Sequence, residues 1–190
     1  MKAGLTVAAV LLSLSGPIAH AGEIREGSVV RAGEVYTVTF DAVISVSPSR
    51  VYELMTDYDH LSQLSNSILE SDIIKKIDDH HHITRLLLHT CILFFCQNMV
   101  LIENVSTNGR NEIQAVVIPE GSDFRQGMSH WSISPFGVEQ AQLTLHRKLE
   151  PAFWIPPVIG PWLVRKKMLQ ELSVLIERLE DNVSQEIPHG

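Results

Sequence analysis

Between Glu34 and Val46 the chain reads Glu-Val-Tyr-Thr-Val-Thr-Phe-Asp-Ala-Val-Ile-Ser-Val, a β-branched and aromatic run with partial alternation that predicts a first strand. Ser47-Pro48 then gives a helix start. Serine suits the N-cap, and proline at the first helical position lacks only an N–H that would be orphaned there anyway. Val51, Leu54, Met55 and Tyr58 follow at helical spacing. Asp57 and Asp59 interrupt, and Leu61, Leu64 and Ile68 predict a second short helix capped by Asp59. Extended segments come next, roughly over residues 68–77, 83–91, 97–106, 112–118, 127–134 and 140–149. Turn-forming clusters separate them: Asp78-Asp79, Asn108-Gly109, Pro119-Glu120-Gly121 and Pro135-Phe136-Gly137. Beyond a proline-rich bend from Pro151 to Pro161, residues Leu169, Leu172, Ile176, Leu179 and Val183 lie on one stripe of a long terminal helix spanning 162–183.

One strand, two short helices, six strands and a long helix form an α+β order with segregated helices. The pattern predicts a curved antiparallel sheet of about seven strands, arranged as a meander and wrapped around the terminal helix. Each layer covers the apolar face of the other. Their imperfect fit along the helix is the expected place for a cavity. There is no internal repeat or low-complexity tract.

The N-terminus adds a compartment. Met1-Lys2, an apolar run from Leu5 to Leu14, Ser15-Gly16-Pro17 and the small-residue site Ala19-His20-Ala21 follow the order of a signal peptide cut after Ala21. The apolar run is short for a membrane span, so an uncleaved anchor is the weaker alternative. The segments are then 1–21, signal peptide; 22–33, an N-terminal segment; 34–184, one domain; and 185–190, a tail. No later stretch is long and uncharged enough to span a membrane. The formal net charge is −7, and Lys2 leaves with the signal. Without a basic face of any length, nucleic acid is not expected as a partner.

Export places the two cysteines, Cys91 and Cys96, where disulfides persist, and the four residues between them suit a hairpin tip. Two buried free thiols are the alternative. C-x4-C alone is poor zinc evidence, and the redox C-x-x-C spacing is absent. His80-His81-His82 after Asp78-Asp79 has metal-ligand chemistry, but it falls where a hairpin turn is expected and adjacent strand residues face opposite sides. A solvated turn accounts for it, and no metal is expected.

Ser47-Pro48-Ser49-Arg50-Val51-Tyr52-Glu53-Leu54-Met55-Thr56-Asp57-Tyr58, preceded by Val43-Ile44-Ser45-Val46, resembles the START-like (SRPBCC) superfamily, in particular its polyketide cyclase/dehydrase and coenzyme Q-binding branch. Gly127-x-x-x-Trp131-x-Ile133 and Pro151-x-x-Trp154-Ile155-Pro156-Pro157 agree with that pattern. The resemblance spans nearly all of residues 34–183 and implies a helix-grip fold with a hydrophobic pocket. It departs at Asp59–Asn66, where related chains often carry prolines. The cysteines and the export signal are also not features of the mitochondrial quinone-binding members.

Within such a pocket, Trp131, Trp154, Phe136 and Trp162 are candidate ligand contacts, since large flat side chains line cavities for rings and acyl chains. Arg147 shares strand parity with Ala141, Leu143, Leu145 and Leu149. Two readings stay open for it: an inward arginine meeting a ligand oxygen or Glu103, or a strand-end arginine reaching water. Arg85 shares parity with Ile83 and Leu87, but Leu86 and Leu88 make its direction ambiguous. Arg165-Lys166-Lys167 would suit transient contact with an anionic membrane surface.

There is no nucleophile elbow, HExxH pair or glycine-rich phosphate loop, and no cofactor is implied. The expected function is binding of a lipid, quinone or polyketide-like molecule outside the cytoplasm. A cyclase or dehydratase using His146, Glu103 or Asp123 as acid or base is the alternative from another class. An envelope interaction protein with no ligand is the third.

Overall fold

The computed structural model describes residues 22–92, 95–155 and 160–186, with side chains at 92, 95 and 183–186 left aside. Residues 1–21, where a signal peptide is expected, Pro156-Pro157, the Val183 side chain and residues 187–190 of the tail lie outside the described residues. The described chain builds β1 (Glu23–Ala32), β2 (Val35–Ile44), α1 (Pro48–Thr56), a 3-10 turn (Leu61–Gln63), β3 (Ile68–Lys76), β4 (His81–Ile92), β5 (Phe95–Thr107), β6 (Glu112–Val117), β7 (Phe124–Gly137), β8 (Gln140–Pro151) and α2 (Gly160–Glu186).

The eight strands form one antiparallel sheet in the order β1-β2-β8-β7-β6-β5-β4-β3. From β3 to β8 it is the expected meander. β2 then closes onto β8, with Tyr36 opposite Leu149 and Ile44 opposite Ala141. Register shifts between Ile68 and Glu70, Ile73 and Lys75, and Phe124 and Gln126 bend the sheet, as bulges do.

Two expectations are corrected. The N-terminal segment 22–33 contains a full strand, β1, which turns at Gly33 (φ 63°) into β2. Only Val29 of β1 is buried, so this edge strand lacks the alternating apolar pattern that marks its neighbours. The second helix is a single 3-10 turn, and Ile68 belongs to β3. Asp59 does not cap the turn; its carboxylate accepts the Ile73 N–H at 2.9 Å and ties the turn to the sheet.

α2 lies across the concave face. Leu172, Ile176 and Leu179 are buried against Phe40, Ala42 and Ile44 of β2 and Leu143 and Leu145 of β8 in one core cluster. Glu180 fastens its far half, accepting the Gly22 N–H at 3.0 Å and the Ser45 N–H at 2.8 Å. Gly27 lets the helix pass closely, for a Cβ there would stand 3.0 Å from the Leu169 side chain.

Candidate functional site

Under the first half of α2, sheet and helix separate and enclose a cavity of about 450 Å³. Strand parity determines most of its walls, because alternate side chains of each strand face the helix. Tyr36 and Val38 come from β2, Leu145 and Leu149 from β8, and Trp131 from β7. Leu86 and Leu88 of β4 face Met99 and Leu101 of β5. α2 contributes Leu163, Val164, Met168 and Leu172, and the segment after β8 contributes Phe153 and Ile155. Phe124 meets Phe153 edge-on, with ring centroids 6.1 Å apart, and this contact positions the segment.

Two polar groups reach this apolar interior. Arg147 takes the inward reading: it lines the cavity and donates through Nη2 to Glu103 Oε1 at 3.2 Å. On a flat sheet β5 and β8, with β6 and β7 between them, would stand about 14 Å apart, so this pair depends on the sheet's curvature. Glu103 is itself buried and sits behind Arg147, outside the cavity lining. The second group is Tyr36, which lines the cavity and whose hydroxyl is buried with no hydrogen-bond partner among the described residues. Burial raises its pKa, with Arg31 opposing and Glu34 adding to the shift, so it is a neutral phenol.

The rim is polar. Ser65 donates to Glu171 Oε2 at 2.7 Å, and Lys167 reaches Glu171 Oε1 at 2.7 Å. Burial pushes the Glu171 carboxyl up, but the bonds from Lys167 and Ser65 outweigh it and hold the group below its ordinary value. His89, Thr90 and Gln97 at the end of the β4–β5 hairpin complete the opposite side.

The other candidates separate. Trp131 and Trp154 line the cavity, Trp131 within and Trp154 at the rim, where it is 76% exposed. Phe136 and Trp162 do not line it. Phe136 sits at the far end of β7 under the Arg25 guanidinium, 4.3 Å from its ring centroid. Trp162 stands on the outer face of α2, 63% exposed, with Lys166 Nζ 5.6 Å from its ring. Of the proposed acids and bases, His146 faces solvent, and Asp123 accepts the Val100 N–H at 2.6 Å as a strut for its loop. Arg85 points outward to Glu70 and Asp72, at 3.4 Å and 3.7 Å. In the histidine run, His81 bonds Asp78 at the turn, whereas His82 is buried against Tyr58. Cys91 and Cys96 are joined as a disulfide. Sequence reasoning missed Tyr36, although its alternation with Val38 and Phe40 was a usable signal, and it missed Met99, Phe153 and Met168, for which no local signal exists.

No family model and no curated protein matches the chain. Solved structures do. A START superfamily protein from Mycobacterium smegmatis is similar at 22% identity and a TM-score of 0.63, over 80% of this chain and 99% of its own. An aromatase/cyclase from a Streptomyces species is similar at 10% identity and a TM-score of 0.65, over 82% and 97%. A STAR-related lipid transfer protein from Xanthomonas axonopodis is similar at 13% and 0.58, over 83% and 98%. The fold is therefore START-like, the helix-grip architecture that the Ser47–Tyr58 motif implied.

Proposed function

We propose that this protein is exported and binds, outside the cytoplasm, a hydrophobic small molecule with an oxygen-bearing polar end: a lipid, a quinone or a polyketide-like compound. The observation that carries this reading is the cavity of about 450 Å³, a ligand-sized volume walled by apolar side chains. Arg147 offers a carbonyl, carboxylate or phosphate oxygen a donor, and Tyr36, whose hydroxyl has no partner among the described residues, is a second donor once a side-chain shift opens it to the cavity. Binding modules and an aromatase/cyclase share the fold, so fold alone does not choose between them. Binding is favoured because Glu103 is engaged with Arg147 and the other two candidate acid–base groups lie outside the lining. The signal pattern of residues 1–21 and the Cys91–Cys96 disulfide support periplasmic or secreted placement.

Loading takes place at an anionic membrane surface. Trp154 and Trp162 are the two most exposed tryptophans, and Arg165 and Lys166 share the outer face of the helix with Trp162. In a chain of net charge −7, these cations beside the positive end of the helix dipole make the mouth the region that suits anionic headgroups.

The test is native mass spectrometry with lipid extraction on protein purified from the periplasm with its disulfide intact. A co-purified apolar molecule at one per chain, lost in Trp131→Gln, is the expected result. A ligand-free protein that also fails to take up added lipids and quinones would overturn the reading. Turnover of a cyclisable substrate would move the protein to the enzyme class.

A further inference from the structure

The tip of the β4–β5 hairpin carries four polar or sulfur-bearing side chains in a two-by-two block. His89 and Cys91 are two residues apart on one strand, and their cross-strand partners are Asn98 and Cys96. Strand parity therefore puts all four on one face. His89 Nε2 stands 3.5 Å from Cys91 Sγ, and the imidazole nitrogen and both sulfurs lie within 4.8 Å of one another. On the other side of the ring, His89 Nδ1 is 2.7 Å from Asn98 Oδ1. An amide oxygen only accepts, so Nδ1 carries the proton and Nε2 turns its lone pair toward the sulfurs.

We propose that reduction of the Cys91–Cys96 disulfide converts this hairpin tip into a zinc site, with His89 Nε2, Cys91 Sγ and Cys96 Sγ as ligands and Asn98 holding the imidazole in register. The reductant is a thiol: two thiols give up two electrons and two protons, the S–S bond breaks, and two cysteine thiols and one external disulfide result. Zinc then displaces two protons and is held by two thiolates and one neutral imidazole.

That ligand set, two sulfurs and a nitrogen with a fourth position open, is a recognised tetrahedral zinc arrangement. Zinc bonds of about 2.3 Å to sulfur and 2.0 Å to nitrogen place neighbouring ligand atoms roughly 3.5–3.8 Å apart. The His89–Cys91 spacing already meets this requirement. Only the two sulfurs must separate once the covalent bond is gone, which side-chain rotation at Cys96 allows. Both cysteines are exposed, so the reductant and the ion have access. Hydrogen bonding of the distal imidazole nitrogen to Asn98 is the outer-shell support that histidine ligands ordinarily have.

The site also stands on the cavity rim, since His89 lines the mouth. Oxidised, the tip is closed by a covalent bond; reduced and metallated, it is closed by the ion, with the fourth position facing the solvent beside the mouth.

The full mature protein is reduced with a phosphine, freed of it under anaerobic conditions and titrated with Zn²⁺ against a chromophoric chelator. Co²⁺ in place of Zn²⁺ provides a second readout. Expected are one zinc per reduced chain, none per oxidised chain, and a thiolate-to-cobalt charge-transfer absorption. Removing the outer-shell partner in Asn98→Leu should weaken binding about 10- to 100-fold, while Asn98→Asp, which keeps an acceptor oxygen, should retain it. Uptake by the oxidised chain equal to that of the reduced one, no uptake by the reduced chain, or a His89→Ala variant that binds as tightly as wild type would overturn the proposal. These residues are at an exposed hairpin end, so the variants report on the site without challenging the core.

Discussion

Arg147 and Glu103 form a charge pair in a largely apolar setting, and their worth is best measured by separating them. Glu103→Gln leaves the guanidinium without its counter-charge and is expected to lower unfolding free energy by about 1–3 kcal/mol in urea titration. The double change Glu103→Leu/Arg147→Leu should recover most of that loss, because an apolar pair needs no counter-charge. Tyr36→Phe is expected to behave in the opposite way. It deletes a buried hydroxyl that has no partner among the described residues, so stability should hold or rise slightly, while affinity for an oxygen-bearing ligand should fall about tenfold, roughly 1.4 kcal/mol. Glu171 adds a pH dependence. Its folded pKa is depressed, so its contribution is complete above the ordinary glutamate range and is lost as pH falls through the lower folded value. Acid unfolding should therefore be shallower in Glu171→Gln than in the wild type. At this scale parity with Leu143, Leu145 and Leu149 made an inward Arg147 one of two open readings, and the structure selects it. The sequence offered Glu103 as one partner beside a ligand oxygen and could not choose between them, because the two strands meet only through the curvature of the sheet.

At the scale of elements, a residue with capping chemistry does not always cap. Ser47 occupies the N-cap of α1 but makes no side-chain capping bond; its hydroxyl lies 3.4 Å from Ser49 Oγ. Ser47→Ala is accordingly expected to cost a few tenths of a kcal/mol by thermal melting, below the roughly 1 kcal/mol of an engaged cap. Along α2 the two halves should respond differently. Leu179 is fully buried, and Leu179→Ala is expected to cost about 2–5 kcal/mol. Met168 borders the cavity, so its truncation mostly enlarges an existing space and should cost less, while altering ligand uptake. The six-strand meander and α2 were legible because their periodicities of two and 3.6 are strong. β1 was not, since Glu23, Arg25, Glu26 and Arg31 give an edge strand no apolar face to display. The 3-10 turn was overread as a helix because Leu61 and Leu64 imitate helical spacing over a single turn.

At the scale of the whole molecule, the cavity was legible only as a consequence of architecture: a curved sheet and one helix that fit along part of their length. Strand parity says which side chains face the helix, but which of them border the open half depends on contacts between distant segments. Membrane contact is a property of this scale too. Binding to phosphatidylglycerol vesicles should weaken as salt rises and fall about fivefold per cation when Arg165 or Lys166 is replaced by glutamine, while phosphatidylcholine vesicles bind weakly throughout. The pairing of β2 with β8, Tyr36 with Leu149 for example, also bears on how the chain reaches its native state. Emerging from the N-terminus onward, the protein makes the β1–β2 hairpin early, but the other edge of β2 must wait for β8, and α2 is later still. Once β8 is in place and until α2 arrives, the trough lined by Val38, Leu145 and Leu101 is bare. Refolding should be slow for a chain of this size, as long-range strand pairing dictates. A chain stopped before Gly160 should aggregate, and light scattering of that truncation against the full-length protein would show it. The helix that roofs the cavity is thus also the segment that ends the protein's most aggregation-prone moment.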